Sequence, residues 1–284
     1  MINTNEILKK YDLKLTKTLG QNFLTDINII RKIVDTGEVS PSDFVLEIGP
    51  GIGAMTVELA KSAGKVVAVE IDRHLIPALS ETLGGFSNVT VVNCDIMKAD
   101  LKSLVKDWTG PLKVISNLPY YITTPIIMML LESEIEWDTL VFMVQKEVAQ
   151  RMAAPPGNKD YGSLSVAVKY YSEPKLAFTV SRNCFIPKPD VDSAVIKLKK
   201  RVLPYTQDVD KEFFFKVVKA SFNQRRKTLL NSLGLQPWVE GGKEGLKNVL
   251  VKLGIKENVR AEELSLEEFI KLTKELAHTS NPEA

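Results

Sequence analysis

Between residues 40 and 150, short runs of β-branched and other apolar residues alternate with segments of helical spacing. The runs are FVLEI at 44–48, VVAVE at 66–70, VTVV at 89–92, LKVIS at 112–116 and TLVFMV at 139–144. Alternation of this kind predicts a mostly parallel sheet wrapped by helices. Strands that are apolar along their length are buried on both faces, so the pattern indicates a doubly wound α/β fold.

The pattern changes in the second half of the chain. After a loop rich in Pro, Gly and Asn, the runs LSVAVKYY at 164–171 and AVIKLKKR at 194–201 are predicted to complete the edge of the sheet. Beyond Pro204 the segments 211–233 and 264–277 have helical spacing instead.

These patterns predict two domains. An α/β domain over residues 1–203 is expected to carry the ligand site, and a small helical domain over residues 204–284 is expected to follow it. The length of 284 residues agrees with one main domain and a smaller attachment.

Composition indicates a globular chain, because 44% of the residues are hydrophobic and 25% are charged. The net charge of +2 does not by itself indicate a polyanion as partner. Residues 211–231, however, hold six basic side chains against Glu212 alone, a local charge of +5 (6 − 1). Either this segment faces phosphates or it is a solvated helix face. The basic residues are Lys211, Lys216, Lys219, Arg225, Arg226 and Lys227.

Several classes of protein are excluded at this stage. The N-terminus lacks an apolar run of signal-peptide length, and the apolar stretch 126–131 is too short to span a bilayer, so we expect a cytoplasmic protein without membrane attachment. Cys94 and Cys184 form no CxxC pair, and only His74 and His278 could assist them, so we expect neither a metal site nor a disulfide.

The first candidate site is the glycine-rich segment EIGPGIG at 47–53, which follows the first apolar run. Glycine is required where the backbone adopts positive φ or approaches a ligand closely. A dinucleotide-binding loop would have the spacing GxGxxG. The spacing ExGxGxG instead resembles motif I of class I methyltransferases, whose ligand has an amino-acid tail and no pyrophosphate. We therefore predict cofactor contacts at Gly49 and Gly51.

Carboxylates follow the next two apolar runs, and ligands of a doubly wound sheet bind beyond the carboxyl ends of its strands. Glu70 ends the second run, where a carboxylate can accept both hydroxyls of a ribose. Asp95 follows the third run, where it can accept the amino group of an adenine. Either residue alone could be a solvated strand end, but together they predict an adenosine site.

The segment NLPY at 117–120 follows the fourth run and predicts a site of methyl transfer. The exocyclic nitrogen of adenine is a poor nucleophile, because its lone pair is delocalised into the ring. The amide oxygen of Asn117 and the carbonyl of Leu118 can each accept one of its hydrogens and so localise the lone pair. Pro119 stiffens the turn, and Tyr120 offers a ring on which the base can stack. The alternative is a Pro-stabilised turn with a core tyrosine.

A second aromatic candidate is Phe185, in the segment NCFIPKP at 183–189. Pro187 and Pro189 predict an extended, rigid segment that could hold this ring against the other face of the base. The alternative is that Phe185 is a core residue beneath a loop.

Eight blocks in order resemble the small-subunit ribosomal RNA adenine dimethyltransferases of bacteria (KsgA-type), over nearly the whole chain. They are LGQNFL at 19–24, EIGPGIG, the strand ends at Glu70 and Asp95, NLPY, VQKEVAQRM at 144–152, KDYGSLSV at 159–166, FIPKPDVDSAV at 185–195 and FNQRRKTLLNSL at 222–233.

The resemblance implies a class I methyltransferase (Rossmann-like) fold with S-adenosyl-L-methionine as cofactor. It implies transfer of two methyl groups to each of two adjacent adenosines in the 3′-terminal hairpin of 16S rRNA, late in small-subunit assembly. The implied partner is 16S rRNA within the small subunit or its precursor, and nothing demands more than a monomer. The local positive charge predicts that Arg225, Arg226 and Lys227 bind this RNA. The implied cofactor contacts are Asn22, Leu24, Gly49, Glu70, Asp95 and Asn117, with Tyr120 and Phe185 about the target base.

Three other functions stay open at this point. They are a related methyltransferase that acts on large-subunit rRNA, a nucleic-acid-binding assembly or transcription factor without catalysis, and a nicotinamide-dependent dehydrogenase on the same architecture. The last lacks the GxGxxG spacing and an evident proton relay.

Overall fold

A computed structural model describes residues 4–13, 20–106, 108–201 and 209–280 of the chain. The strands are β1 Phe23–Leu24, β2 Phe44–Ile48, β3 Lys65–Glu70, β4 Val89–Asn93, β5 Leu112–Asn117, β6 Trp137–Gln145, β7 Ser172–Val180, β8 Phe185–Ile186 and β9 Ser193–Lys200. The α-helices are α1 Thr4–Lys10, α2 Ile27–Thr36, α3 Ala54–Ser62, α4 Ile76–Leu83, α5 Leu101–Leu104, α6 Thr123–Glu132, α7 Lys146–Ala153, α8 Ser163–Tyr171, α9 Lys211–Phe222, α10 Leu229–Ser232, α11 Gly242–Lys252 and α12 Leu266–Ser280.

Seven of the strands form one sheet in the order β4-β3-β2-β5-β6-β9-β7. The five strands from β4 to β6 are parallel, and β9 is antiparallel to β6. Strands β1 and β8 form a separate antiparallel pair. The predicted doubly wound, mostly parallel sheet is therefore confirmed, and each of the five apolar runs between residues 40 and 150 is one of its strands.

Strand β2 shows why these runs form the centre of the sheet. All five of its residues are buried, including Glu47, and it pairs with β3 on one side and β5 on the other. Chain order reverses between β2 and β5, because β3 and β4 lie on one side of β2 whereas β5 and β6 lie on the other. This reversal is the point at which ligands bind in doubly wound sheets.

The prediction that LSVAVKYY at 164–171 completes the sheet is wrong, because these residues lie in helix α8. A short apolar run cannot be assigned to strand or helix by periodicity alone. The Ser165 hydroxyl accepts a hydrogen bond from the Gly162 amide at 3.1 Å and so caps the helix start. The edge strand is instead β7, in which Pro174 is tolerated because an edge strand has free hydrogen-bonding groups. The run at 194–201 does form a strand, β9.

The chain divides into two compact units, the first made of residues 1–149 and 174–200 and the second of residues 150–173 and 201–284. The predicted boundary between residues 203 and 204 lies outside the described residues. Residues 150–173, predicted to belong to the α/β domain, are grouped with the helical unit.

The second unit has an apolar core of its own, in which Phe214 of α9, Leu250 of α11 and Phe269 of α12 are fully buried. Helix α9 is capped at its N-terminus by Asp210, whose carboxylate accepts hydrogen bonds from the amides of residues 212 and 213. The helical spacing predicted over 211–233 is interrupted, since α9 ends at Phe222 and α10 begins at Leu229. The intervening segment 223–228 contains the predicted RNA-binding residues.

Within the described ranges, none of the helices combines the length and the apolar character that a membrane span needs.

Candidate cofactor and methyl-transfer site

A cavity of about 210 Å³ lies at the carboxyl ends of β2, β3, β4 and β5, in the first unit. Its walls are the glycine-rich loop after β2, the segments that follow β3, β4 and β5, and residues 20–24 of the N-terminal segment. Every predicted cofactor residue lines it, as do the four residues of NLPY. These are Asn22, Leu24, Gly49, Gly51, Glu70, Asp95, Asn117, Leu118, Pro119 and Tyr120.

The glycine-rich loop needs glycine at its second position for two independent reasons. Gly51 has φ +61°, a conformation that residues with a Cβ rarely adopt. A Cβ at this position would also lie only 2.7 Å from Cε1 of Phe23. The loop therefore runs directly beneath the N-terminal segment, and its backbone forms a wall of the cavity.

Glu70 joins the end of β3 to this loop. One carboxylate oxygen accepts a hydrogen bond from the Gly51 amide at 3.2 Å, and the other accepts one from the Asp72 amide at 2.9 Å. Burial raises the pKa of Glu70, and these two hydrogen bonds oppose the rise. The side chain is thus held rigidly at the cavity wall with acceptor capacity left for a ligand.

Asp72 makes a contact that the sequence did not indicate. Its carboxylate does accept the His74 amide at the start of a 3₁₀ turn, at 3.0 Å. The other oxygen accepts a hydrogen bond from the amide nitrogen of Gln21 at 2.8 Å. This bond ties residues 20–24 to the segment after β3, and no spacing in the sequence indicated it.

Asp95 lies two residues beyond β4, where its carboxylate caps a 3₁₀ turn by accepting the Met97 amide at 3.0 Å. The side chain is partly exposed and lines the cavity. Its position agrees with the predicted contact to an adenine amino group.

The side chain of Asn117 is oriented by the N-terminal segment. Its amide nitrogen donates to the backbone carbonyl of Asn22 at 3.1 Å. A carbonyl can only accept, so this bond fixes the amide with its nitrogen toward residue 22. The amide oxygen is left free to accept, and Asn117 lines the cavity, so its predicted role as an acceptor stays a prediction.

The turn after Asn117 is held from both ends. The amide of Leu118 donates to the Met143 carbonyl at 3.1 Å, and the carbonyl of Pro119 accepts from the Thr123 hydroxyl at 2.9 Å. These bonds leave the Leu118 carbonyl in a fixed position. The predicted pair of acceptors therefore lies on one rigid turn.

Tyr120 makes a hydrogen bond that sequence reasoning missed. Its phenol oxygen lies 2.6 Å from the hydroxyl oxygen of Ser193, which is fully buried at the start of β9. Burial raises the pKa of Tyr120. The Tyr120 ring is thereby fixed beside residues 117–118, whereas its exposed neighbour Tyr121 packs against Gly20.

Phe185 is not brought to the cavity. It pairs with Leu24 between β1 and β8, is only 3% exposed, and packs in the core of the first unit. Its predicted contact with a base stays a prediction. In this conformation Phe185 is a core residue, which was the alternative.

Glu47 begins the predicted glycine-rich segment and lines the cavity, but no contact was predicted for its side chain. Its carboxyl is 1% exposed, and Oε2 has no hydrogen-bond partner among the described residues. Burial raises the pKa of Glu47 to about 8; the Thr56 hydroxyl opposes this rise, and the nearby Glu70 charge adds to it. An acidic residue within the apolar run FVLEI was the signal that could have identified it.

The described residues that line the cavity include three carboxylates, Glu47, Glu70 and Asp95, and neither lysine nor arginine. Acidic side chains without a basic neighbour favour a cationic ligand over an anionic one. Within the described ranges, no group of three or more His, Cys, Asp or Glu side chains could hold a metal ion.

The predicted RNA-binding residues lie together in segment 223–228 of the second unit, where all three are exposed. Arg225 differs from its neighbours in its contacts. Its guanidinium donates to the Lys159 carbonyl at 2.6 Å and the Tyr161 carbonyl at 3.3 Å, and it lies 3.5 Å from the Glu262 carboxylate. Arg225 thus joins segments of the second unit, whereas Arg226 and Lys227 extend the exposed positive charge.

Comparison with known proteins agrees with this geometry. The family model described as ribosomal RNA adenine dimethylase matches residues 12–278. The ribosomal RNA small subunit methyltransferase A of Geobacillus sp. (strain WCH70) is 50% identical over 279 residues, which cover 97% of this chain and 96% of that protein.

Two solved structures are similar over most of their length. A dimethyladenosine transferase from Plasmodium falciparum has a TM-score of 0.77 at 27% identity and covers 88% of this chain and 95% of its own. The 23S rRNA methyltransferase ErmE has a TM-score of 0.69 at 29% identity and covers 90% of this chain and 99% of its own. With the family model spanning nearly the whole chain and the cavity built from its sequence blocks, the chain belongs to the ribosomal RNA adenine dimethylase family.

Proposed function

We propose that this protein is an S-adenosylmethionine-dependent rRNA adenine N6,N6-dimethyltransferase. Its proposed substrate is a pair of adjacent adenosines in the 3′-terminal hairpin of 16S rRNA, within the small ribosomal subunit or its precursor. The observation that carries the proposal is the convergence of Glu70, Asp95 and the oriented amide of Asn117 on one acidic cavity.

The residues of the cavity fit S-adenosylmethionine. Glu70 would hold the ribose hydroxyls and Asp95 the adenine amino group, while the backbone at Gly49 and Gly51 allows close approach. Asn22 and Leu24 would close over the methionine end. When bound, the cofactor supplies an electrophilic methyl group on a positively charged sulfur.

Asn117 and Leu118 activate the nucleophile. Each presents one oxygen that can accept a hydrogen from the adenine amino group, which favours a pyramidal nitrogen with a localised lone pair. The hydrogen bond from Asn117 to residue 22 means that this acceptor is positioned before the substrate arrives. A strong general base is not needed, because the methylated ammonium is acidic enough to release its proton to water.

Acceptors also permit the second methylation. A group that donated a hydrogen bond to the amine would resist a monomethylated substrate, whereas an acceptor tolerates it while one hydrogen remains. Tyr120 offers a ring for stacking of the target base, a contact worth about 1–3 kcal/mol in nucleic-acid complexes.

RNA binding is proposed for the exposed segment 223–228, with Arg226 and Lys227 as phosphate contacts. We further propose that the protein acts as a monomer in the cytoplasm, without a metal ion, late in assembly of the small subunit. An added role as an assembly checkpoint would be compatible with this surface.

The decisive test is labelled methyl incorporation into small subunits that lack the modification, followed by digestion to nucleosides. N6,N6-dimethyladenosine is the expected product, and primer extension should map it to the 3′-terminal hairpin of 16S rRNA. Product in large-subunit rRNA would favour the related large-subunit activity. Binding without any product would favour a non-catalytic factor, and calorimetric binding of NAD in place of S-adenosylmethionine would favour a dehydrogenase.

A further inference from the structure

Glu47 is the one carboxyl of the cavity that the proposed function leaves without a task. Its side chain is 1% exposed and lines the cavity, and Oε2 has no hydrogen-bond partner among the described residues. A buried charge without a partner is costly, so such a group is neutral until a partner arrives. Among possible partners, a cation stabilises the ionised carboxylate most strongly.

The surroundings of Glu47 supply no such cation. From α3 the Thr56 hydroxyl favours ionisation of Glu47 but carries no charge, and from the end of β3 the Glu70 carboxylate opposes its ionisation. The other titratable groups that line the cavity are neutral or negatively charged, and none of them can become a cation. They are Cys94 and Asp95 after β4, and Tyr120 and Tyr121 after β5.

We propose that Glu47 is the counter-charge that selects a cationic cofactor, and that it releases one proton to solvent when the cofactor binds. The carboxylic acid becomes a carboxylate as a positively charged group of the methionine end enters the cavity. This inference rests on the proposed cofactor. The positive group is the sulfonium or the α-ammonium, and the two can be separated by experiment.

A proton released on binding makes affinity depend on pH with a definite sign. Because burial raises the pKa of Glu47 to about 8, the carboxyl is roughly nine tenths protonated at pH 7 before the cofactor binds. Affinity for S-adenosylmethionine should therefore rise with pH, by up to about tenfold per unit, and level off above about pH 8.

Isothermal titration calorimetry in buffers of different ionisation enthalpy counts the protons directly. At pH 7 we expect close to one proton released per S-adenosylmethionine bound to the full-length protein. Glu47→Gln should abolish the release and flatten the pH dependence of affinity. Glu58→Gln is the matched control. Glu58 lies on α3, directly after the glycine-rich loop, but it pairs with Arg31 and Lys61 and does not line the cavity.

Two analogues identify the positive group. S-adenosylhomocysteine lacks the sulfonium but keeps the ammonium, and methylthioadenosine lacks both. Proton release with S-adenosylhomocysteine assigns the ammonium, and its loss assigns the sulfonium. Release with methylthioadenosine would overturn the proposal, because no cation is then present.

A second measurement is made on the cofactor-free protein and shows whether the variant folds. Ionisation of a buried carboxyl destabilises the native state as pH rises through its raised pKa. The melting temperature of Glu47→Gln relative to the unaltered protein should therefore increase from pH 6 to pH 9. If S-adenosylmethionine does not bind at all, the proposed function fails. If it binds without proton release, or if release persists in Glu47→Gln, the counter-charge proposal fails alone.

Discussion

The cavity of the first unit is lined by acidic side chains that are buried or partly buried, whereas segment 223–228 of the second unit holds basic side chains that are exposed. The cavity holds carboxylates that are buried or partly buried, each placed by the end of a strand. The segment holds three exposed cations between two helices. Burial protects electrostatic interactions from salt, whereas exposed charges are screened.

This difference indicates two kinds of recognition. The cavity suits one small cation in a fixed geometry, and its interactions should depend on pH more than on salt. The segment suits a polyanion whose phosphates contribute through counterion release, and its interactions should depend on salt. Four sets of substitutions test the comparison.

The largest effect is expected for Asn117→Ala, which removes the oriented acceptor at the cavity. The methyl-transfer rate should fall about 10²- to 10³-fold, as when one positioned hydrogen-bonding group is removed from a transition state. Single-turnover assays on undermethylated small subunits measure the rate, and sedimentation measures particle binding, which should persist. Asn248→Ala on the exposed side of α11 is the control. A variant that still dimethylates at the normal rate would refute the role of Asn117.

The next effect concerns Arg226 and Lys227 replaced together by alanine. If each cation contacts a phosphate, the slope of log affinity against log salt should fall in magnitude by about 1.4–1.8, or about 0.7–0.9 per contact. The replacement of Lys256 and Lys271 removes the same charge elsewhere in the second unit and should change the slope less. An unchanged slope would mean that segment 223–228 is a solvated surface.

Arg225→Ala should act on stability more than on the salt slope, because the guanidinium is engaged by two backbone carbonyls and Glu262. We expect a loss of about 1–2 kcal/mol in the free energy of unfolding, a modest value because the group is half-exposed. Arg225→Lys keeps the charge but cannot reproduce the two-carbonyl geometry, so it should lose most of the same stability. Equal effects of Arg225→Ala and Arg226→Ala on the salt slope would contradict this assignment.

The smallest effect is expected for Ser193→Ala, which removes the hydrogen bond that orients Tyr120. The loss should be about 1 kcal/mol, roughly fivefold in kcat/KM for RNA. Tyr120→Phe should cost a similar amount, and the double variant little more, since both remove one interaction. Strict additivity would show that the two groups act independently.

The sequence predicted most of the sheet and of the cavity, because each prediction used a constraint that acts locally. Continuous apolar runs must be buried, so 44–48 and its successors were predicted as central strands. Parallel strands deliver their carboxyl ends to one edge, so Glu70, Asp95 and Asn117 were predicted to converge. Gly51 was predicted from its backbone requirement, which holds whatever its neighbours are.

The remaining features depend on partners distant in sequence. The apolar run 164–171 is compatible with strand or helix, and only packing in the second unit decided for α8. Arg225 and Arg226 are equivalent as sequence, yet the carbonyls at 159 and 161 engage only Arg225.

The sequence by itself determined which segments along the chain form the parallel strands and which residues follow each strand. It thereby determined the side chains available at the carboxyl edge of the sheet. Tertiary structure decided the state of each group there, because burial and hydrogen bonding depend on which segments meet in space. Glu47 is the clearest case: its acidity is set by desolvation beneath residues far from it in the chain. Phe185 shows the same dependence in the other direction: the sequence predicted it at the site, and the fold buries its ring in the core.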